Sequence, residues 1–396
     1  MNMAFGQPAV RTAPRRTGRE LELADQIKKM FRRLRLAIVY GGDKAADGAV
    51  IERTTNPRSW KSYRTVAEDI AASMERLGCR DIVLMPDDMH LGAALKAHDS
   101  HLAWLNTGGV QGHCSVAHAP SMLEMFGIPY VGHDPMTAGI LDNKHVFKRQ
   151  LRAAGIPTAG FHIWQPGLGH DDPTDDMGFA IEFGDFEGPF VVKPASGRAS
   201  LHVTYVENRR DLAEAVRAVY KVTRNHVLIE RYLCGREFCV AIAGPMVARN
   251  GELERMAGPF VFSPLERVLE DGEKIFTSMD HKPITGERAV LVDRERDPDV
   301  MYQLEDIARR VFFELGIETL IRLDIRADEF GDLYVLEANP KPDLKAPSAS
   351  ATSLVSIGLP EFDMTYDDLI MSIFADRIDV LLSERRGVAD RLMRIL

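Results

Sequence analysis

Residues 334–347 read YVLEANPKPDLKAP, an apolar run that places Glu337 and Asn339 two positions apart before breaking into prolines and lysines. Upstream, LIRLDIR puts Leu320, Arg322, Asp324 and Arg326 on one face and Ile321, Leu323 and Ile325 on the other. That is the period of a β-strand, and LYVLEAN alternates likewise. Between them lies DEFGD, a turn cluster. With Phe330-Gly331 as a two-residue turn, Asp324 falls opposite Glu337 and Arg322 opposite Asn339. Directly opposed side chains have Cβ atoms ~5 Å apart, and two carboxylates that close destabilise a sheet unless a cation lies between them. Asp, Glu and Asn offer hard oxygen donors without sulfur or imidazole, a set suited to Mg²⁺, with Mn²⁺ as a substitute, and not to zinc. Magnesium also keeps coordination positions for water and substrate phosphates. The competing reading is a solvated hairpin face with an incidental pair of acids.

Other residues supply what a phosphate-bearing ligand needs. In FVVKPASGRAS an apolar run ends at Lys193, at the mouth of a loop of small residues whose N–H groups can approach a phosphate closely. Lys144 is a second candidate cation, and each lysine taken alone reads more readily as a solvent-facing side chain. VLIERYLCGREF carries Glu230, Leu233 and Glu237, able to offer an acceptor for an exocyclic amine, an apolar face and an acceptor for ribose hydroxyls. Two solvated glutamates around a turn are the plainer account of the same letters.

These residues must be held by something large. The chain has 396 residues, 45% hydrophobic and 27% charged, enough for two or three domains. Its 49 Lys+Arg against 58 Asp+Glu give a formal net charge of −9, which argues against a nucleic-acid binder while leaving room for a local anion site. The four cysteines (Cys79, Cys114, Cys234, Cys239) lack metal or disulfide spacing and read as buried thiols of a reducing compartment. Arg15-Arg16 is followed by no apolar export core, and no run is long enough to span a membrane, so a cytoplasmic address is expected.

Residues 1–33 read as a disordered leader with a short helix. From 34 to 142, short apolar runs alternate with amphipathic stretches, the pattern of βαβ units on a parallel sheet, with Gly41-Gly42 as a tight strand-to-helix turn. LDNKHVFKRQLRAAGIPT is a helix begun by Asp142 or Asn143, with Val146, Phe147, Leu151 and Ala154 buried, and stopped by Gly155 and Pro157. It opens a smaller β-rich region over 143–235, and a larger α+β region fills 236–396. QPGLGHDDPTDDMG is an acidic loop without an evident task.

Taken in chain order, the lysines, the spaced glutamates and the Arg-x-Asp and Glu-x-Asn hairpin resemble the ATP-grasp superfamily, and within it the D-alanine–D-alanine ligases. The resemblance runs from about Leu36 to about Phe374 and is carried by PYVGHDPMTAGILDNKHVFKRQLRAAGIPT, PFVVKPA, VLIERYLCGREFCVAI and RLDIRADEFGDLYVLEANPKP. It implies a three-domain architecture: a Rossmann-like parallel sheet, a small β-rich lid and a larger α+β domain. It further implies that Lys144 and Lys193 contact ATP phosphates, Glu230 and Leu233 the adenine and Glu237 the ribose. Asp324, Glu337 and Asn339 would hold two Mg²⁺ ions, Arg322 would steady an acyl phosphate, and Lys282 would sit on a loop over the γ-phosphate.

The phosphate loop retains Ser200, and Ser353-Leu354 resembles the family's Ser-Leu substrate contact. Trp60 and Lys61 stand where the family carries a glutamate for an ammonium group, with Glu52 or Glu68 as other carboxylates able to reach the pocket. Asn106-Thr107 replaces a His-Gly pair. The expectation is therefore an ADP-forming ligase that joins a small carboxylate to an amine, with a substrate altered from D-alanine. A genuine D-alanine–D-alanine ligase, a carboxylate kinase releasing the acyl phosphate and a nucleotide-binding module without turnover are the alternatives. Small molecules are the expected partners, with no nucleic acid or membrane, and a homodimer is compatible with the sequence.

Overall fold

A computed structural model describes residues 18–42, 62–109, 114–167, 171–197, 201–276, 287–348, 353–384 and 386–396. Trp60, Lys61, Ser200, Lys282 and Glu52 lie outside the described residues.

The first sheet is parallel, with strands β1 (Arg35–Tyr40), β2 (Asp81–Pro86), β3 (Leu102–Asn106) and β4 (Tyr130–Val131) in the order β2-β1-β3-β4. Helix α1 (Gly18–Phe31) precedes it, and α2 (Arg64–Arg76), α3 (Leu91–His98) and α4 (His118–Met125) alternate with its strands. RLAIVY of β1 is apolar almost throughout and buried, as a central strand covered on both faces must be. Gly42 has φ +69°, and the residues that follow it, 43–61, lie outside the described ones.

Two capped helices lead out of this sheet. In α5 (Pro135–Asp142) the Asp134 carboxylate accepts from the N–H groups of Met136 and Thr137, at 2.9 and 3.0 Å, with Pro135 at the first turn. In α6 (Lys144–Ala153) Asn143 accepts from Val146 N–H at 3.1 Å, and the helix ends before Gly155 at φ +66°. Its buried face is Lys144, Phe147, Lys148 and Leu151, whereas Val146 is only half-buried.

The second sheet is antiparallel in the order β5-β8-β6-β7, from β5 (Phe161–Trp164), β6 (Phe190–Pro194), β7 (Thr204–Val206) and β8 (Val227–Arg231). Helices α7 (Met177–Phe183) and α8 (Leu212–Thr223) close its core around Phe179, Phe190 and Val216. The acidic loop has a local task here, since Asp172 and Asp176 cap the turns that enter α7.

The largest sheet runs β14-β13-β9-β15-β16, with β12 also on β9. Its strands are β9 (Glu237–Ala243), β12 (Phe260–Val261), β13 (Leu265–Arg267), β14 (Ala289–Leu291), β15 (Ile321–Ala327) and β16 (Leu333–Asn339), and β10 (Met246–Arg249) and β11 (Glu252–Arg255) form a separate hairpin. Helix α9 (Pro298–Glu314) packs on β9, while α10 (Tyr366–Glu384) packs on the β10 hairpin and α2, followed by α11 (Arg386–Met393).

Helix α1 is not an appended leader. Leu23, Ile27, Met30 and Phe31 are buried in one core with Leu36, Ile373 and Phe374.

Candidate functional site

The sequence pairing of the hairpin is present, with a different turn. Asp324 opposes Glu337 and Arg322 opposes Asn339, yet nearer the turn Ile325 pairs with Val335. Asp328 N–H donates to Asp332 O at 3.0 Å, so the loop holds three residues, Glu329 to Gly331, with Gly331 at φ +90°. The extra residue is Leu336, a β-bulge that restores the register. Because of it, Leu336 and Glu337 both line the same cavity although they are adjacent in sequence.

The face is not a solvated one. Arg322, Asp324 and Arg326 are 9%, 4% and 4% exposed, which a charged face tolerates only if each charge is compensated. Compensation comes from within the hairpin and from the neighbouring strands β9 and β13. Arg267 on β13 lies 2.5 Å from Asp324 and 3.0 Å from Glu237, Arg322 reaches Asp324 at 3.0 Å, and Arg326 lies 3.4 Å from Glu237. Burial pushes the Asp324 carboxyl up, but the Arg267 and Arg322 guanidiniums outweigh it and hold Asp324 at about 2. For Glu237 burial prevails over Arg267 and Arg326, and its carboxyl is raised.

The neighbouring sheet contributes a second network. Glu230, 2% exposed, sits between Lys148 at 2.7 Å and Lys193 at 2.5 Å. Burial raises Glu230, and the two lysines more than offset it. Burial lowers Lys193, and Glu230 and Glu337 more than offset that. Lys144 bridges the sheets, 3.1 Å from Glu337 and donating to Gly197 O at 2.8 Å. Lys148 was not legible as a site residue, although it stands one turn beyond Lys144 on the same face of α6. Arg267 had no spacing signal at all.

These groups surround one cleft between the two antiparallel sheets. It is lined by Lys144, Lys193, Glu230, Leu233, Glu237, Arg267, Asp324 and Glu337, with Val191, Phe276 and Leu336 as apolar wall. Arg322 stands behind Asp324. Asn339, at the end of β16, has a buried Nδ2 with no partner among the described residues.

Several residues singled out in the sequence stand outside this cavity or are less buried than their types suggest. Ser353 and Leu354 do not line the cavity: Ser353 is buried in a turn with Ser356, 2.9 Å between hydroxyls, and Leu354 packs with Cys239, Leu265 and Ala289. Glu68 is exposed and paired with Arg64 at 3.0 Å. Of the cysteines only Cys79 and Cys239 are buried, whereas Cys234 is exposed and Cys114 half-buried.

The model of the D-ala D-ala ligase C-terminus family matches residues 151–375. The chain belongs to that family. Among its relatives, the D-alanine–D-alanine ligase of a Synechococcus species is 25% identical over 77% of this chain and 85% of its own length. The uncharacterized protein y4sG of Sinorhizobium fredii is 28% identical over 76% and 85%. Two solved structures share the fold: the D-alanine–D-alanine ligase of Bacillus anthracis complexed with ATP (TM-score 0.62, 18% identity, 89% of this chain and 99% of that one) and D-alanyl-alanine synthetase A of Vibrio cholerae (TM-score 0.63, 20% identity, 87% and 98%). The architecture is thus the three-domain ATP-grasp fold. No helix among the described residues is long and apolar enough to cross a membrane.

Proposed function

We propose that the chain is an ATP- and Mg²⁺-dependent ligase that forms an amide bond between a small carboxylate and an amine, in the cytoplasm, with boundaries near 142 and 235 separating its three domains. The observation that carries this reading is the charge of the cavity. Six cationic side chains (Lys144, Lys148, Lys193, Arg267, Arg322, Arg326) meet four carboxylates (Glu230, Glu237, Asp324, Glu337) in or directly behind one cleft, in a chain whose formal net charge is −9. A local excess of buried cations beside an apolar wall suits a polyphosphate attached to a flat base.

Lys144 and Lys193 would pair with the phosphates, Leu233 and Leu336 would enclose the base, and Glu237 would accept from the ribose. Glu230 is engaged by two lysines, so its oxygens can accept from the adenine amine only while keeping those contacts or as a lysine turns to the phosphates.

Asp324, Glu337 and the Asn339 carboxamide fit a hard divalent cation, being oxygen donors on paired strands. Bound there, Mg²⁺ would supply charge to neutralise the transferring phosphoryl group. A free carboxylate is a poor electrophile. Transfer of the γ-phosphoryl to its oxygen breaks the bond to ADP and forms an acyl phosphate. An amine nitrogen then attacks the carbonyl carbon, phosphate leaves, and the amine loses a proton. Arg322 and Arg267, already aimed at Asp324, would hold the developing oxygen charges without reorganisation.

The test is ADP formation across pairs of carboxylates and amines, with products identified by mass spectrometry. Ligated product that requires both substrates and Mg²⁺ is expected. ADP and acyl phosphate formed without any amine would make the protein a carboxylate kinase, and no ADP with any carboxylate would overturn the ligase reading.

A further inference from the structure

The proposed metal donors are already matched by cations of the chain itself. Asp324 is met by Arg267 at 2.5 Å and by Arg322 at 3.0 Å, and Glu337 by Lys144 at 3.1 Å, so two carboxylates face three cations. The Asn339 carboxamide adds no charge. A divalent cation brought to these donors alone therefore meets net positive charge, although the donor types suit it.

Arg267 is the surplus charge. Burial of a carboxylate asks for one cation, and each of these has one without it: Arg322 for Asp324, Lys144 for Glu337 and, at 3.4 Å, Arg326 for Glu237. Nor does strand pairing place Arg267 beside Asp324. It stands across from Glu237 on β9, to which its Nη1 donates at 3.0 Å, whereas Asp324 stands across from Cys239, two positions further along that strand. The arginine therefore reaches diagonally over β9, past the buried Cys239 thiol, to bring a second guanidinium onto a carboxylate that already has one. It also lines the cleft, where nucleotide phosphates would meet it.

We infer that Arg267 is a charge gate on the metal site: it makes Asp324 and Glu337 poor ligands for a free divalent cation and good ones only when nucleotide phosphates have reversed the local charge. The residue acts through Asp324 and sets the order of binding, so that the metal enters with the nucleotide or after it. The inference rests on the metal site of the ligase reading above and adds how that site is regulated.

The test is Mn²⁺ binding to the full chain, read by water-proton relaxation, which is enhanced when the ion is held on a slowly tumbling protein. It needs neither substrate nor turnover. The parent should bind Mn²⁺ weakly alone and roughly 10-fold or more tightly with ADP present. Arg267→Met should strengthen nucleotide-free binding by roughly 10²-fold, the effect of removing a unit charge beside a divalent ion in a partly buried site. Arg267→Lys keeps the charge and should stay close to the parent. Asp324→Asn added to Arg267→Met should abolish the gain, which ties it to this site. Arg267→Met leaves one cation on each carboxylate, so folding should survive, as circular dichroism would show. Arg267→Gln repeats the comparison if it does not, and should neither fold, the ADP dependence of the parent decides. Equal Mn²⁺ binding by the parent with and without ADP, or an Arg267→Met protein no tighter than the parent, would overturn the inference. Mn²⁺ held by neither protein even with ADP would reject the metal site itself. Failure of the ligase reading is distinct: no substrate pair yields ADP, while the Mn²⁺ titrations still show the gate.

Discussion

Glu337 faces Asp324 across the hairpin and holds Lys144 at 3.1 Å. Replacing it by glutamine removes a charge from the proposed metal site while relieving a like-charge contact. Glu337→Gln should lower single-turnover ADP formation by roughly 10²–10³, the range for one preorganised electrostatic group, and should leave the thermal midpoint unchanged or higher. Near-normal turnover would take Glu337 out of the metal site. Lys148 tests the other network, because it is fully buried and touches no solvent. Lys148→Met leaves Glu230 with Lys193 alone and should cost about 3 kcal/mol, the lower end for a broken buried pair, read from denaturant unfolding. A cost near zero would mean that Lys193 alone compensates Glu230. The facing carboxylates were legible because strand periodicity fixes faces. Lys148 and Arg267 were not, because their burial depends on partners distant in sequence, Glu230 for the lysine and Glu237 and Asp324 for the arginine, and a lysine read alone is a surface residue.

Elements decide which charges are buried and how they respond to pH. The bulge at Leu336 shows why the register of the site was legible while the turn was not: a three-residue loop and one extra strand residue cancel, and only the sum is fixed by the facing pairs. A second element carries a charge that no alternation reveals. Asp376 on α10 is 2% exposed against the turn between β9 and β10, where Met246 N–H approaches it at 3.4 Å and a Cβ on Gly244 would stand 2.0 Å from its carboxylate. Burial raises its carboxyl to about 7, Asp379 adds to that, and the Met246 and Gly244 N–H groups and Arg255 oppose it. A raised folded value means that the unfolded chain ionises first. The stability present below about pH 4 is then lost as pH rises to about 7, by at most ~4 kcal/mol. Asp376→Asn keeps an acceptor for the N–H groups and cannot ionise, so its advantage over the parent should grow from pH 5 to pH 8 in urea melts. An equal difference at both pH values would assign the effect to packing instead.

At the scale of the molecule, α10 ties the first sheet to the last. Asp367 accepts from Ser73 Oγ at 2.7 Å and pairs with Arg76 of α2 at 2.6 Å, Ser372 accepts from Ala248 N–H at 2.8 Å, and Arg377 donates to Tyr130 O at 2.9 Å and to Glu318 at 2.6 Å. Helix α1 enters the same core, with the Phe31 ring 5.1 Å from that of Phe374. The sequence reading separated α1 from the domains because a basic, polar stretch precedes it, and composition does not report which distant apolar surface a short amphipathic helix will cover. Phe31 is 2% exposed, so Phe31→Ala should cost about 3–5 kcal/mol. If α1 belongs to the common core, that loss lowers the midpoint of the whole chain, and circular dichroism and ATP-analogue binding should fall together in one transition. If α1 were an appendage, Phe31→Ala would leave nucleotide binding and the main transition where they are. Two separated transitions, with nucleotide binding surviving the first, would show instead that the cleft between the antiparallel sheets folds independently of the parallel sheet.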